Sequence, residues 1–363
     1  MMTLPGFILS TLALLMVLTV IYQRSALRHV SYKRYFSEQA VFEGDRLEMV
    51  EEIVNAKLLP LPWLRLESSI ARGLEFGIQE NLGISTGEIY QNHVSMFFLK
   101  PYRHIKRRHS VSCNKRGFYR LESVTMTTGD LFGLARKVKT FPLQLELLVY
   151  PGLLDIGNLP LPVHSWLGEL PVKRWMVEDP FLTAGIREYS AGDSMGLINW
   201  KATARTGVMQ VHKKDYSADT RLVICLNVEI SESMWRNVTD VQRIEQGIRY
   251  AATVAEYALL HGIETGFICN GSLGGDGAKT PVTTESMAQL EDFLELLARL
   301  TLDRTVPMNR LLELQAESTA ASSDFLIISC HQGAGLEAAA QQLQALGHGV
   351  EWLVIPEQGR EGA

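Results

Sequence analysis

The spacing of apolar positions changes character along the chain, and each change predicts a different kind of element. Leu4 to Tyr22 is a run of 19 residues without one charge. As a helix it would be roughly 28 Å long, close to the thickness of a bilayer's hydrocarbon layer. From about residue 38 to 150 the pattern is short and alternating. Phe141 to Val149 places Leu143, Leu145, Leu147 and Val149 on one face, with Gln144 and Glu146 on the other, as a half-buried strand requires. Leu47 to Val54, Leu64 to Leu66, Val94 to Leu99 and Gly117 to Val124 read as further strands. Turn residues separate them at Glu43-Gly44-Asp45, at Pro60 and Pro62, and at Gly129-Asp130. Short strands, regular turns and little helix predict a small sandwich.

Residues 151–184 lack a sustained period and are punctuated by Pro151, Pro160, Pro162, Pro171 and Pro180. They also carry Trp166, Trp175 and Phe181, which predicts an ordered connector rather than a flexible linker. A dense segment follows, Gly185 to Gly207. Ile186 to Tyr189 reads as the end of a short strand and Ser190-Ala191-Gly192 as a turn. Asp193 reads as an N-cap, and a short helix with Lys201, Ala202, Ala204 and Arg205 closes at Gly207.

Beyond Thr220 the strands become apolar throughout: Leu222 to Val228, Gly266 to Cys269, Phe325 to Ser329 and Val350 to Ile355. They alternate with helical stretches at Asp240 to His261, Ser286 to Leu300, Met308 to Leu314 and Leu336 to Leu346. That texture predicts a mostly parallel sheet covered on both faces. The domain plan is therefore a transmembrane helix (4–22), a basic juxtamembrane segment (23–37) and a β-rich, sandwich-like domain (38–150). A connector with the dense motif (151–218, motif 185–207), a doubly wound α/β domain (219–356) and a tail (357–363) complete it.

Composition adds limits. The chain is 46% hydrophobic and 21% charged with a net charge of −5, which excludes a generally basic nucleic-acid binder and a disordered acidic chain. The run from Arg103 to Arg120 holds seven Lys or Arg and two His, and reads as a solvated strand edge. Cys113, Cys225, Cys269 and Cys330 are far apart with no paired spacing, so buried free thiols in a reducing compartment are expected. A signal peptide is the rival reading of the first helix, but it would want a basic start and a small-residue cleavage site. Arg24, Arg28, Lys33 and Arg34 follow the apolar run, so the positive-inside rule places the remainder in the cytoplasm. The same charges suit anionic lipid headgroups.

Candidate chemistry is sparse. Gly83-Ile84-Ser85-Thr86-Gly87 matches a nucleophile elbow in letters, yet lies in a polar stretch of the β domain. Gly271 to Gly277 misses the phosphate-loop spacing and reads as a loop between strands. Glu229, Ser231 and Ser233 follow the first apolar strand, where open α/β sheets bind ligands. Three oxygens there could hold Mg²⁺, against the plainer reading of a polar loop. Within the dense motif, Glu188 and Asp193 with downstream His212 allow an acid–base pair on paper. Arg187, Lys201 and Arg205 can neutralise both carboxylates instead, which favours a structural or partner-binding knot with Trp200 packed beside it.

Arg187-Glu188-Tyr189, Gly192-Asp193, Ile198, Trp200-Lys201 and Ala204-Arg205 resemble the signature of a bacterial family, domain of unknown function 58. The likeness continues upstream in Phe42 to Asp45, Pro60 to Arg65, Arg116 to Tyr119, Asp130 to Leu134 and Val149 to Pro151, in the family's order. The resemblance implies a membrane anchor, a β domain and a domain similar to the von Willebrand factor type A fold. It implies as partners a MoxR-type AAA+ ATPase and a membrane transglutaminase-like protein, and it implies no established reaction. The chain departs from the pattern in showing one membrane helix, and in Gly196 and Asn199, where arginine and aspartate are usual. It departs again at Glu229 in place of the aspartate that opens the type A metal site, and at Cys330 and His331, where the later strand usually ends in aspartate. The expectation is a membrane-anchored, non-enzymatic adaptor or assembly protein without a metal or other cofactor. Metal-dependent ligand binding through Glu229, Ser231 and Ser233 is the alternative, and hydrolysis through Glu188 and Asp193 comes last.

Overall fold

The computed structural model describes residues 4–71, 73–77, 82–86, 90–130, 134–160, 177–189, 198–217, 221–232, 234, 239–274, 279–318 and 323–357. The chain divides into two compact units, Met1–Gly152 and Leu153–Ala363.

The first unit begins with helix α1 (Leu4–Ser25). Its stretch Gly6–Ser25, 20 residues with mean hydropathy 2.0, is long and apolar enough to cross a membrane. Phe7, Leu9, Leu12 and Met16 project from it, all more than half exposed. A turn follows in which His29 takes the left-handed conformation (φ 54°) and redirects the chain. Strand β1 (Val30–Phe36) starts at once, so Lys33 and Arg34 are strand residues, whereas the sequence placed a juxtamembrane segment over 23–37.

Nine further strands complete a sandwich: β2 (Ala40–Phe42), β3 (Arg46–Asn55), β4 (Leu61–Ala71), β5 (Leu74–Phe76), β6 (Leu82–Thr86), β7 (Tyr90–Leu99), β8 (His104–Cys113), β9 (Gly117–Gly129) and β10 (Arg136–Tyr150). One sheet runs β1-β3-β8-β5 and the other β2-β10-β9-β4-β7-β6. Alternate residues point inward, as period two demands. Met49, Val111, Ile70, Leu121 and Leu147 join in one core cluster. Ile53, Leu64, Leu99 and Met126 join in a second, together with Tyr22, Ala26 and Leu27 from the end of α1.

The basic run falls mainly on β8, which pairs with β3 over His104–Ser112, while β5 meets only its Val111–Cys113 end. Among the described residues His104 to His109 therefore pair with β3 alone, and the outward charges face its carboxylates, with Lys106 2.9 Å from Glu52 and Arg108 3.5 Å from Glu48. Charged side chains of this kind suit an open strand edge.

In the second unit a two-stranded ribbon, β11 (Val177–Glu188) and β12 (Gln210–Ser217), precedes a five-stranded sheet. β11 begins inside the expected connector and is much longer than the strand end read at Ile186 to Tyr189. Between the ribbon strands lies the short helix α2 (Trp200–Thr206).

The five-stranded sheet contains β13 (Arg221–Leu226), β14 (Thr265–Cys269), β16 (Val282–Met287), β18 (Ser323–Ser329) and β19 (Gly349–Val354), in the order β16-β14-β13-β18-β19. β14, β13, β18 and β19 are parallel, and β16 is an antiparallel edge. The short pair β15 (Ser272–Leu273) and β17 (Leu300–Thr301) stands apart. The helices are α3 (Val241–Leu260), α4 (Leu290–Arg299), α5 (Met308–Ser318) and α6 (Ala334–Ala345).

Both sheet faces are covered. Val223, Cys225, Phe325 and Ile327 pack with Leu311 and Leu312 of α5 and Leu336 and Leu343 of α6. On the other face the Phe267 ring meets Phe293 of α4 edge-on at 5.3 Å. A Cβ on Gly247 of α3 would lie 2.5 Å from Ile355 and 3.3 Å from Leu226, so only glycine allows that approach. The α3 N-terminus matches the sequence reading, because Asp240 Oδ1 accepts from Arg243 N at 3.1 Å. All four cysteines are buried free thiols.

Candidate functional site

Two places concentrate chemistry in the second unit. The first is the dense motif. Arg187 pairs with Val211 and Glu188 with Gln210 across the ribbon, and Tyr189 N donates to Met209 O at 2.9 Å. Glu188 is exposed and Tyr189 half-buried. Gly192, Asp193 and Gly196 lie outside the described residues, as do the side chains of Arg187 and His212.

Capping falls to Asn199, not to the expected Asp193. Its Oδ1 accepts from Ala202 N at 3.0 Å, and Gly207 closes the helix in the left-handed conformation (φ 71°). Asparagine caps as well as aspartate does, so Asn199 suffices to start the helix. Thr203 Oγ1 accepts from Gln210 N at 3.0 Å and fastens α2 to β12. No residue of α2 is buried. Trp200 is 68% exposed, where the sequence reading packed it into a junction, and Lys201 and Arg205 are exposed beside it.

The second place is the carboxyl end of the parallel sheet. The chain leaves β13 toward β14 on one side, while β18 lies on the other, so a crevice opens between β13 and β18. Asn227 sits just past β13, Asn270 past β14 and Ser329 at the end of β18, all fully buried. Asn227 Nδ2 donates to Ser329 Oγ at 3.1 Å, and Asn270 Nδ2 donates to Asn227 Oδ1 at 3.0 Å. Their amide oxygens take the backbone N–H groups that follow β13, Glu229 N on Asn227 at 3.0 Å and Val228 N on Asn270 at 2.8 Å. These side chains satisfy backbone groups that the ladder no longer reaches.

Glu229, the first residue of the alternative metal reading, is buried, and its Oε1 lies 2.7 Å from Arg304 Nε. Arg304 also donates to the carbonyl of Met234. Burial raises the Glu229 carboxyl above its ordinary pKa, against the lowering influence of Arg304 and a backbone hydrogen bond at Met308. Ser231 is exposed at the mouth, and Ser233 lies outside the described residues. Glu232 Oε1 accepts from Gly335 N at 3.1 Å, in the first turn of α6.

A divalent ion at Glu229 would meet a guanidinium already seated on its ligand oxygen. Among the described residues no three His, Cys, Asp or Glu converge as a metal-binding group. The donor set therefore does not fit a divalent cation. Cys330 is also unsuited to chemistry, since burial pushes its thiol up to about 11. Its carbonyl accepts from Arg243 Nη2 at 2.8 Å, and the same guanidinium binds Ile355 O, clamping the chain ends beyond β18 and β19. Burial lowers the imidazole of His331 nearby.

Residues 185–287 match the family model described as protein of unknown function DUF58. The match holds the last four residues of β11, all of β12 and α2, and the first half of the crevice, including Glu229 and Asn270, while Arg304 and Ser329 lie beyond it. The uncharacterized protein YeaD of Bacillus subtilis (strain 168) is 22% identical over 284 residues, covering 78% of this chain. The chain spans 66% of that relative's length. Among solved structures, a non-cellulosomal cohesin from Archaeoglobus fulgidus matches at TM-score 0.21 and 10% identity, covering 33% of this chain and 91% of the cohesin. A PapD-like domain of human CEP192 matches at TM-score 0.21 and 15% identity, covering 33% and 84%. Likeness at that level carries no argument.

Sequence reasoning missed Arg304, Asn227, Asn270 and Ser329. Three polar residues closing three apolar strands were a visible signal. Arg304, far along the chain, gave none.

Proposed function

We propose that the protein is a membrane-anchored, non-enzymatic adaptor or assembly protein whose partner is a MoxR-type AAA+ ATPase. The observation that carries this reading is the crevice at the carboxyl end of the parallel sheet. Its buried Asn227, Asn270 and Ser329 are committed to one another, and Arg304 is ion-paired with Glu229 internally. An enzyme keeps such groups aimed at a substrate; a type A-like adaptor needs only the shape of its rim. The exposed Trp200 with Lys201 and Arg205 offers a second contact for a partner, since tryptophan and arginine dominate protein interfaces. α1 would hold the chain in the membrane, and exposed Arg24 and Arg28 after it favour a cytoplasmic position for both units.

The test is affinity purification of the full chain from native membranes in detergent, with and without Asp193→Ala and Ser231→Arg. An AAA+ ATPase should be enriched by the parent chain and depleted by at least one variant. Absence of any such ATPase ends the adaptor reading. Calorimetry with Mg²⁺ provides the rival outcome: heat that vanishes on Ser231→Ala would replace this reading with metal-dependent ligand binding.

A further inference from the structure

The end of the β sandwich that receives α1 gathers exposed apolar side chains on neighbouring loops. Register places it unambiguously. Val30 pairs with Asn55, Val54 with His104, Leu61 with Leu99 and Trp63 with Gly129. The loops 56–60 and 100–103, with the described residues Asp130, Leu134 and Ala135 of the next, therefore lie together where β1 leaves α1. Each presents one large apolar side chain to solvent: Leu58 is 74% exposed, Tyr102 69% and Leu134 66%. Monomeric soluble domains seldom place such residues together on adjacent loop tips without a use.

No spacer separates this rim from the helix. Tyr22 is buried, and its hydroxyl lies 3.2 Å from Thr128 Oγ1, while Thr128 in turn donates to Trp63 O at 2.7 Å. Lys57 Nζ donates to Ala26 O at 2.6 Å, capping the chain just beyond α1. The loops are tied to one another as well, since Asn55 Nδ2 donates to both Leu59 O and Lys100 O, and Tyr102 N donates to Lys57 O. Tyr22 precedes the last residue of α1 by three positions, roughly 4.5 Å along the axis. The interfacial layer on one side of a bilayer is roughly 5–7 Å deep. The rim thus stands beside the last turn of the apolar helix, within that layer.

Charge agrees with position. Arg24, Arg28, Lys100, Arg103, Arg136 and Lys137 are all exposed at this end. Among the described residues of the three loops the single carboxylate is Asp130, which is buried and accepts from Ala135 N at 2.9 Å. The opposite end of the sandwich is mixed, with Glu38, Glu43 and Asp45 in its turns beside Lys115 and Arg116.

We propose that this rim is a lipid-contact surface in its own right: Leu58, Tyr102 and Leu134 enter the bilayer interface, and the surrounding arginines and lysines bind anionic phospholipid headgroups. The inference rests on α1 crossing the membrane and goes beyond it, because an anchor alone leaves the β domain free in water. Tyrosine and leucine suit the interfacial layer, and basic side chains beside them gain from anionic lipid.

The test uses the full chain in nanodiscs of phosphatidylcholine with phosphatidylglycerol. Nitroxides are placed singly at Leu58→Cys, Tyr102→Cys and Leu134→Cys, with Leu12→Cys and Glu38→Cys as references; the four native cysteines are buried. Collision with oxygen should exceed collision with a water-soluble nickel reagent at 58, 102 and 134, as at 12, and the reverse should hold at 38. If position 12 reads hydrocarbon while the three rim positions read water, the rim proposal is overturned and the anchor survives. If position 12 also reads water, the anchor reading fails and the rim with it. Adding Lys100→Glu and Arg103→Glu should move the label at 58 toward water in the anionic nanodiscs, and much less in pure phosphatidylcholine. Equal depth in both lipids would remove the headgroup half of the proposal.

Discussion

Each unit buries one carboxylate against an arginine, and the two carboxylates are displaced in opposite directions. In the sandwich, Glu51 of β3 is ion-paired with Arg34 of β1, accepts from Tyr32 at 2.9 Å and meets His109 of β8 at 3.0 Å. Arg107 lies 3.9 Å away. Burial alone would raise this carboxyl, but the His109 hydrogen bond and Arg34 outweigh burial and hold it well below the ordinary range. In the α/β unit, Glu229 has the single guanidinium of Arg304 and the nearby charge of Glu232, so burial wins and its pKa rises. Having an arginine partner does not settle the protonation of a buried acid; the number of donors around it does. Arg34 of this cluster also crosses to the other sheet, donating to Ser68 Oγ at 2.9 Å.

Removing an acceptor should show the largest contrast. Glu51→Ala leaves Arg34 buried without its carboxylate and should cost about 3–5 kcal/mol, read as a lowered denaturant midpoint of the first unit. A loss under about 1 kcal/mol would mean that the cluster is solvated and the comparison mistaken.

Acidity should separate the units next. Burial, with Arg34 adding its positive charge, brings His93 down to about 4, and neither ring nitrogen has a hydrogen-bond partner among the described residues. Its folded value is below the unfolded 6.5, so its contribution is complete above pH 6.5 and is lost as pH falls toward 4, worth up to about 3 kcal/mol. Glu51, also depressed, adds a further loss as pH falls below about 4.5. Glu229 has the reverse sign, since its raised value makes its contribution complete below 4.5 and smaller as pH rises. Hydrogen exchange followed against pH should show β3 amides weakening on acidification more than β13 amides. His93→Gln should flatten the part of that slope between pH 6.5 and 4, and an unchanged slope would acquit His93.

Arg304→Ala should cost less than Glu51→Ala, about 1–3 kcal/mol, because Glu229 can relieve its burial by taking a proton. The signature of that relief is a stability loss that shrinks at low pH. At the small end, Asn199→Ala should cost about 1 kcal/mol by removing the α2 cap, and Asn199→Asp should change stability little. A larger loss for aspartate than for alanine would mean that Asn199 serves something other than capping.

Much of the fold was legible. Length without charge marked α1, period two marked the sandwich, and apolar strands alternating with capped helices marked the second unit. Errors arose where meaning depended on a distant neighbour. Arg34 follows an apolar span and so looked like a juxtamembrane charge; Glu51 and His109 bury it. The charges of β8 read as a solvated edge, but their partners Glu48 and Glu52 on β3 were not visible from the local pattern. Glu229 with Ser231 and Ser233 left metal binding open as an alternative, and Arg304, 75 residues further on by number, supplies a positive charge that the local pattern did not show.

By itself the sequence determined what depends on nearest neighbours along the chain: where apolar faces recur, where a polar side chain can cap a helix, and which stretch can cross a bilayer. Those are short-range consequences of side-chain solvation and backbone geometry, and every copy of the segment carries them. Only the tertiary structure decided which charges are buried together, in which direction each buried acid is shifted, and that separate loops form one basic, apolar rim around the end of α1. Such properties belong to pairs and clusters brought together across the fold, and local pattern is silent about them because strand register and helix docking are set by the packing of the whole unit.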